Sequence, residues 1–130
     1  MTALFEFVPR ALQPKPETIA LLEQVRGNGH DVYCLSNRPL FAIEYIKRHP
    51  FWRLFAGAVV SSRCGLVKPE PGIFLHLLAT YSLAPEQTFF VDDVQNNVDA
   101  ARRLGMRGVV YRDAAQCRAA LAAAGFLAAG

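Results

Sequence analysis

The sequence has few cysteines, few charges and no long apolar run, and each shortage excludes a class of protein. Its three cysteines, Cys34, Cys64 and Cys117, are far apart and form no C-x-x-C pair, which indicates reduced thiols and neither a disulfide framework nor a zinc site. The apolar runs are much shorter than the roughly 20 residues of a membrane-spanning helix. We therefore expect no membrane segment, and the absence of a signal-peptide pattern at the N-terminus favours the cytoplasm.

The charge balance also narrows the range of partners. Charged residues make up 19% of the chain and the formal net charge is +3, while hydrophobic residues make up 52%, a fraction typical of a folded protein. The basic residues are spread along the chain without interleaved aromatic motifs, so we expect no nucleic-acid partner. A length of 130 residues predicts a single domain over 1–130.

Helical and strand patterns alternate along the chain. Apolar stripes and helix-starting prolines predict helices at about 16–28, 40–48, from Pro71 onward, 94–104 and 114–124. Short apolar runs predict strands at 30–35, 57–60, 88–91 and 108–111. Strands of this kind separated by helices predict an α/β fold with a doubly wound, mostly parallel sheet.

Polar residues follow three of the predicted strands. Ser36 and Asn37 come after one strand, Asp92 and Asp93 after another, and Lys68 lies in the loop beyond a third. Because ligands of open parallel sheets bind outside the carboxyl ends of the strands, we expect these side chains to share one rim. Paired carboxylates suit Mg²⁺, and a lysine with a hydroxyl suits phosphate oxygens.

Each of these residues also has a structural explanation. Ser36 or Asn37 fits a turn or a helix cap, the Asp92–Asp93 pair fits the start of the following helix, and a single lysine such as Lys68 is usually a solvated surface residue. Only the combination of all three segments indicates a ligand site.

That combination resembles the haloacid dehalogenase-like (HAD) hydrolase superfamily. The resemblance runs from about Gln13 to the C-terminus and is closest to the haloacid dehalogenase and small sugar-phosphate phosphatase branch. Its motifs are L-S-N at 35–37, G-L-V-K-P-E-P-G-I-F at 65–74, and F-V-D-D at 90–93 with N-N-V at 96–98.

The resemblance implies a magnesium-dependent hydrolase with a Rossmann-like core, acting on a small phosphorylated or halogenated substrate. Asp93 would hold Mg²⁺ directly or through water, with Asp92 assisting and Asn97 orienting the loop. Ser36 would donate to a phosphate oxygen and Lys68 would neutralise the charge that develops during transfer. Asn37 would help to line the pocket.

The family's first motif, D-x-D-x-T, is missing, since no D-x-D occurs anywhere in the chain. The first aspartate of that motif is the family's nucleophile. One explanation is that the chain lacks the nucleophile strand and most of the cap, because residues 7–18 resemble the family's connection from cap to core. The sheet would then have an empty central position, or a second chain would fill it.

The other explanation is that residues 4–8 are a degenerate first motif in a domain without a cap. Glu6 would then stand at the nucleophile position and Val8 at the acid–base position. Residues 1–15 are thus either a cap remnant and connector or a degenerate first strand.

Both explanations predict little or no phosphatase or dehalogenase turnover from the chain alone. Glutamate is one methylene longer than aspartate, and catalysis tolerates displacements of about 1 Å poorly. Two other functions remain open. The chain could be a non-catalytic phosphate-binding or scaffold module, or a fragment that needs a partner chain, for example in a homodimer.

Overall fold

A computed structural model describes the backbone of residues 2–5, 16–37, 44–45 and 47–127. Its described strands form one five-stranded parallel sheet in the order β3-β2-β1-β4-β5. The strands are β1 (Thr2–Phe5), β2 (Asp31–Ser36), β3 (Gly57–Val60), β4 (Thr88–Asp92) and β5 (Arg107–Val110).

Strand β1 occupies the centre of the sheet. Its residue Phe5 pairs with Cys34 of β2 on one side and with Val91 of β4 on the other. The expectation of an empty central position, or of one filled by a second chain, is therefore wrong. The physical reason is that β2 and β4 each need a backbone partner in the middle of the sheet, and the short apolar N-terminal run supplies it. A homodimer stays a prediction.

The helices whose full bounds lie within the described residues are α1 (Pro16–Gly27), α2 (Ser61–Cys64), α3 (Pro71–Thr80), α4 (Gln95–Arg103) and α5 (Ala114–Ala123). Four of them and the four expected strands lie within about two residues of the sequence predictions. The short α2 and two 3₁₀ helices, Pro50–Leu54 and Pro85–Gln87, were not predicted. Much of the helix expected at 40–48 lies outside the described residues.

The sheet has a hydrophobic core on each face. Consecutive β4 residues alternate between the two cores: Phe89 and Val91 pack on one face and Phe90 on the other. The first core includes Leu22 of α1 and Leu121 of α5, and the second is built largely from α3 and α4. This arrangement confirms the doubly wound α/β class, and the described residues form no separate cap domain.

The outer edge of the sheet at β3 is covered by a tyrosine. The Tyr81 hydroxyl accepts a hydrogen bond from the Ala58 N–H at 2.9 Å and donates one to the Ala58 carbonyl at 3.2 Å. The neighbouring position is Gly57, where a Cβ atom would overlap the Tyr81 ring. Glycine is therefore needed here for close approach and not for an unusual backbone angle.

Within the part of the chain that is described, none of the helices combines the length and apolar character required to cross a bilayer.

Candidate active site

The candidate site lies at the carboxyl edge of the sheet, beside its central strand. The chain runs from β1 outward to β2 and β3, and then returns to the other side of β1 for β4 and β5. Such a reversal of strand order creates the crevice where ligands of doubly wound folds bind. Cys34 and Val91 both pair with Phe5 of β1, so their backbones are about 10 Å apart, which is two strand spacings. Ser36 and Asp93 each follow two residues later in the chain.

A buried ion pair anchors this rim. The Lys68 Nζ atom lies 2.7 Å from Asp92 Oδ2, and the side chains are only 2% and 0% exposed. The ammonium group also lies 6.0 Å from the centre of the Phe90 ring. Lys68 is therefore not a solvated surface residue, and the structural explanation considered for it in the sequence is excluded.

Asp92 receives two further hydrogen bonds. Its Oδ1 atom accepts from the Val94 N–H at 2.9 Å, and its Oδ2 atom accepts from the Asn97 side-chain amide at 3.1 Å. Together with Lys68, these donors come from two segments of the chain and compensate a carboxylate that is fully buried. Asp92 therefore fixes the geometry of the loop that carries Asp93.

Asn37 holds the lysine loop in place. Its Oδ1 atom accepts from the Lys68 backbone N–H at 2.9 Å, and its Nδ2 atom donates to the Lys68 carbonyl at 3.1 Å. The two bonds join the end of β2 to a loop 31 residues further along the chain. The resemblance gave Asn37 a place in the pocket lining, whereas the geometry shows that it also positions Lys68.

Ser36 is the last residue of β2 and is fully buried. Its position at the end of β2, the strand next to the central one, and beside Asn37 in the chain agrees with the predicted rim. The structure thus brings the six predicted side chains to one edge, on β2, β4, α4 and the loop before α3.

Asp93 differs from Asp92 in being exposed. Partial burial raises the pKa of the Asp93 carboxyl, and the hydrogen bond and negative charge of Asp92 raise it further. A backbone hydrogen bond and the charge of Lys68 act in the opposite direction without cancelling the effect. Two carboxyl groups this close disfavour the simultaneous ionisation of both, which is the electrostatic condition that a bound cation relieves.

The two carboxylates are compatible in kind with Mg²⁺. No group of three or more His, Cys, Asp or Glu side chains among the described residues could enclose a metal ion. Magnesium commonly uses one or two protein carboxylates together with water and phosphate oxygens, so a protein cage is not required. Asp93 is the more accessible of the two, because Asp92 is buried and already accepts three hydrogen bonds.

Glu6, the residue considered for the nucleophile position, lies outside the described residues, as does Val8. In the sequence Glu6 directly follows Phe5, the last residue of the central strand.

The sequence prediction missed the role of Asn37, because nothing local in the sequence indicated that it binds the backbone of Lys68, 31 residues away. It also missed the short-range bond from the Val94 N–H to Asp92, which spans only two residues. The L-S-N and D-D-x-x-x-N motifs were the available signals, but they identify the residues and not their partners.

Known proteins are similar to this chain over the residues that form the candidate site. A sequence model of haloacid dehalogenase-like hydrolases matches residues 3–105. A sesquiterpene phosphatase of Aspergillus oryzae is 32% identical over 114 residues, which cover 87% of this chain and 58% of the relative. The chain therefore spans a little over half the length of that relative.

Solved structures show the same fold. An uncharacterised protein of Corynebacterium glutamicum superposes with a TM-score of 0.82 at 22% identity, covering 99% of this chain and 97% of that one. A HAD-family enzyme of Bacteroides thetaiotaomicron, solved with magnesium and inorganic phosphate, has a TM-score of 0.69 at 25% identity and is matched over 76% of this chain and 53% of its own. On the family match and on the fold, the chain belongs to the haloacid dehalogenase-like hydrolases.

Proposed function

We propose that this chain is the magnesium- and phosphate-binding core of a phosphatase-type hydrolase, and that on its own it turns over phosphoesters slowly or not at all. The observation that carries the proposal is the buried Lys68–Asp92 pair at the rim where Ser36 and Asp93 also lie. Phosphoryl transfer depends mainly on positioning and charge neutralisation, and this rim supplies groups for both.

The charges of the rim predict how a phosphate would bind. Lys68, Asp92 and Asp93 together carry one net negative charge when ionised, which opposes a phosphate carrying about −1.5 to −2 at neutral pH. A bound Mg²⁺ would supply the positive charge that neutralises the phosphate oxygens. In this arrangement Asp93 holds the cation, Lys68 and Ser36 face the phosphate, and Asn37 and Asn97 position Lys68 and Asp92.

Magnesium-dependent phosphate binding is the first test. Calorimetric titration of inorganic phosphate should give weak binding without Mg²⁺ and at least tenfold tighter binding with it. Asp93→Asn should abolish that dependence, because it removes the accessible carboxylate. Asp31→Asn, which makes the same change in charge at the opposite edge of the sheet, should leave it unchanged. Equal phosphate affinity with and without Mg²⁺ in the unmodified protein would contradict the proposal.

The missing D-x-D motif can be restored in the chain. If residues 4–8 act as the first motif, the double variant Glu6→Asp/Val8→Asp gains a nucleophile and an acid–base group. General acid–base catalysis contributes about 10²–10⁴-fold, so turnover of an aryl phosphate should rise by at least about a hundredfold. The matched control is Glu6→Asn/Val8→Asn, which changes both side chains without adding carboxylates.

If the double variant gains no turnover under these conditions, two further measurements distinguish a binding module from a fragment that needs a partner chain. Phosphate binding without turnover in the double variant would favour a non-catalytic binding module, the function that the absence of D-x-D supports. Turnover that appears only at high protein concentration would favour a fragment that works with a partner chain. Phosphorylated compounds should be tested as substrates before halogenated ones, because the chain is similar to the phosphatase of Aspergillus oryzae.

A further inference from the structure

Two exposed apolar residues flank the charged groups of the candidate site. Val67 is 39% exposed and directly precedes Lys68, while Val94 is 46% exposed and directly follows Asp93. The other large exposed apolar residues in the described chain are Tyr45 and Leu75, and neither is adjacent in sequence to a charged residue of the site.

Backbone connections limit how far both valines can lie from the ion pair. The Val94 backbone nitrogen lies 2.9 Å from Asp92 Oδ1. Val67 is joined to Lys68, whose Nζ atom lies 2.7 Å from Asp92 Oδ2. An extended lysine side chain reaches about 6 Å and adjacent Cα atoms are about 3.8 Å apart, so both valines lie within about 15 Å of the Asp92 carboxylate.

The loops beneath these side chains are held firmly. Asn37 binds both backbone polar groups of Lys68, next to Val67, and Asp92 binds the backbone of Val94. The backbone of Val94 and the residue next to Val67 are thus held in place in the loops that carry the ion pair. Small-molecule sites typically combine apolar side chains with a few placed polar groups.

We infer that Val67 and Val94 are specificity-determining residues that contact an apolar organic group of the phosphorylated substrate. This inference rests on the proposed function, since it requires the phosphate to bind beside Lys68. A sugar or polyol phosphate would place hydroxyl groups against the two isopropyl groups, where their hydrogen bonds to water would be lost. An alkyl phosphate would instead remove apolar surface from water on both sides of the contact.

The test is a titration of the complete chain, with Mg²⁺ present, against inorganic, methyl, butyl and hexyl phosphate and glycerol phosphate. Full burial of one methylene tightens binding by about fourfold, so partial contact should make hexyl phosphate at least about tenfold tighter than methyl phosphate. Glycerol phosphate should bind no better than methyl phosphate. Equal affinities along the alkyl series would overturn the inference.

Variants then assign the effect to the two valines. Val67→Ser and Val94→Ser should each weaken hexyl phosphate binding by about threefold to tenfold and leave inorganic phosphate within about twofold. Leu75→Ser, which polarises an exposed residue on α3, is the matched control and should change neither affinity. Because all three positions are exposed, far-ultraviolet circular dichroism should show unchanged folding.

Two outcomes distinguish this inference from the proposed function. If inorganic phosphate fails to bind even with Mg²⁺, the proposed function fails first. If inorganic phosphate binds but the serine variants alter only the self-association measured by sedimentation velocity, the valines are covered by a second copy and the inference is wrong.

Discussion

Asp92 and His30 place buried polar atoms at opposite edges of the sheet, and the two residues differ in their hydrogen bonding. At the carboxyl edge, the Asp92 carboxylate is fully buried and accepts hydrogen bonds from Lys68, Val94 and Asn97. At the amino edge, before β2, both ring nitrogens of His30 are buried with no hydrogen-bond partner among the described residues, and the ring packs 5.0 Å from Phe126. Burying a polar group without a hydrogen-bond partner costs less free energy than burying an unpaired charge such as a carboxylate.

The contrast indicates that hydrogen bonds fix the position of the Asp92 carboxylate, whereas the His30 ring is held by packing alone. The carboxyl edge uses side chains from distant segments to hold a charge at a defined place, which is needed where a ligand must be oriented. At the amino edge, the side-chain bonds of the described residues go to backbone carbonyls, such as that from Asn28 to Phe126, and hold no buried charge. We therefore expect changes there to affect stability alone.

The largest effect is expected when the buried charge pair is broken. Lys68→Met leaves the buried Asp92 carboxylate without its counter-charge, and should lower the free energy of unfolding by about 3–5 kcal/mol in urea titrations. The double variant Lys68→Met/Asp92→Asn should recover much of that loss, since the remaining amide is uncharged.

The matched control for this experiment is an exposed ion pair. Lys47 lies 3.5 Å from Glu44 on the surface, so Lys47→Met should cost less than about 1 kcal/mol. Similar losses for Lys47→Met and Lys68→Met would show that burial adds nothing to the Lys68–Asp92 pair, and the contrast between the two edges would be lost.

At the amino edge we expect a smaller change in the free energy of unfolding, and there it should be an increase. His30→Phe keeps a ring against Phe126 and removes two buried nitrogens without partners, so the free energy of unfolding should rise by about 1 kcal/mol. His76→Phe, at an exposed position on α3, should stay within about 0.5 kcal/mol of the unmodified protein. A loss of stability in His30→Phe would mean that the imidazole has a favourable role in the packing.

The smallest effect on stability at neutral pH is expected for Cys117, a residue of α5 that is buried in the first core. Burial, and then the charge of Asp113, raises the pKa of its thiol to about 12. Because the folded pKa is raised, the thiol's contribution to stability is complete below the ordinary thiol pKa near 9 and is lost as the pH rises towards 12. The melting temperature should therefore fall over this range.

The variant Cys117→Ala provides the comparison for that titration. It should start from a lower melting temperature, because a small cavity replaces the sulfur, but should show a shallower decline above pH 9. Parallel curves for the two proteins would assign the alkaline loss to other groups.

The sequence predicted most of the sheet because its strands are short apolar runs buried on both faces. Val32 and Leu35 of β2, for example, belong to opposite cores and so leave no polar alternation in the strand. The rim of the site was also predictable, since parallel strands bring their carboxyl ends together and the polar residues follow those ends directly.

The contacts within the site could not be predicted in the same way. The bonds from Asn37 to Lys68 join residues 31 positions apart, and the ion pair joins residues 24 apart. Hydropathy periodicity reports only which face a residue occupies and cannot assign partners over such separations. The central position of β1 remained one of two alternatives for a related reason, because a four-residue strand carries too short a pattern to be distinguished from a connector.

The tyrosine at the outer strand has a consequence for the behaviour of the protein in solution. An open strand edge offers unpaired N–H and carbonyl groups to any other extended chain, and this is a common route to aggregation. By binding both backbone groups of Ala58, the Tyr81 hydroxyl takes the place of an adjacent strand at that position. The side chain therefore discourages edge-to-edge association of two copies at β3 while leaving the carboxyl rim open to ligands.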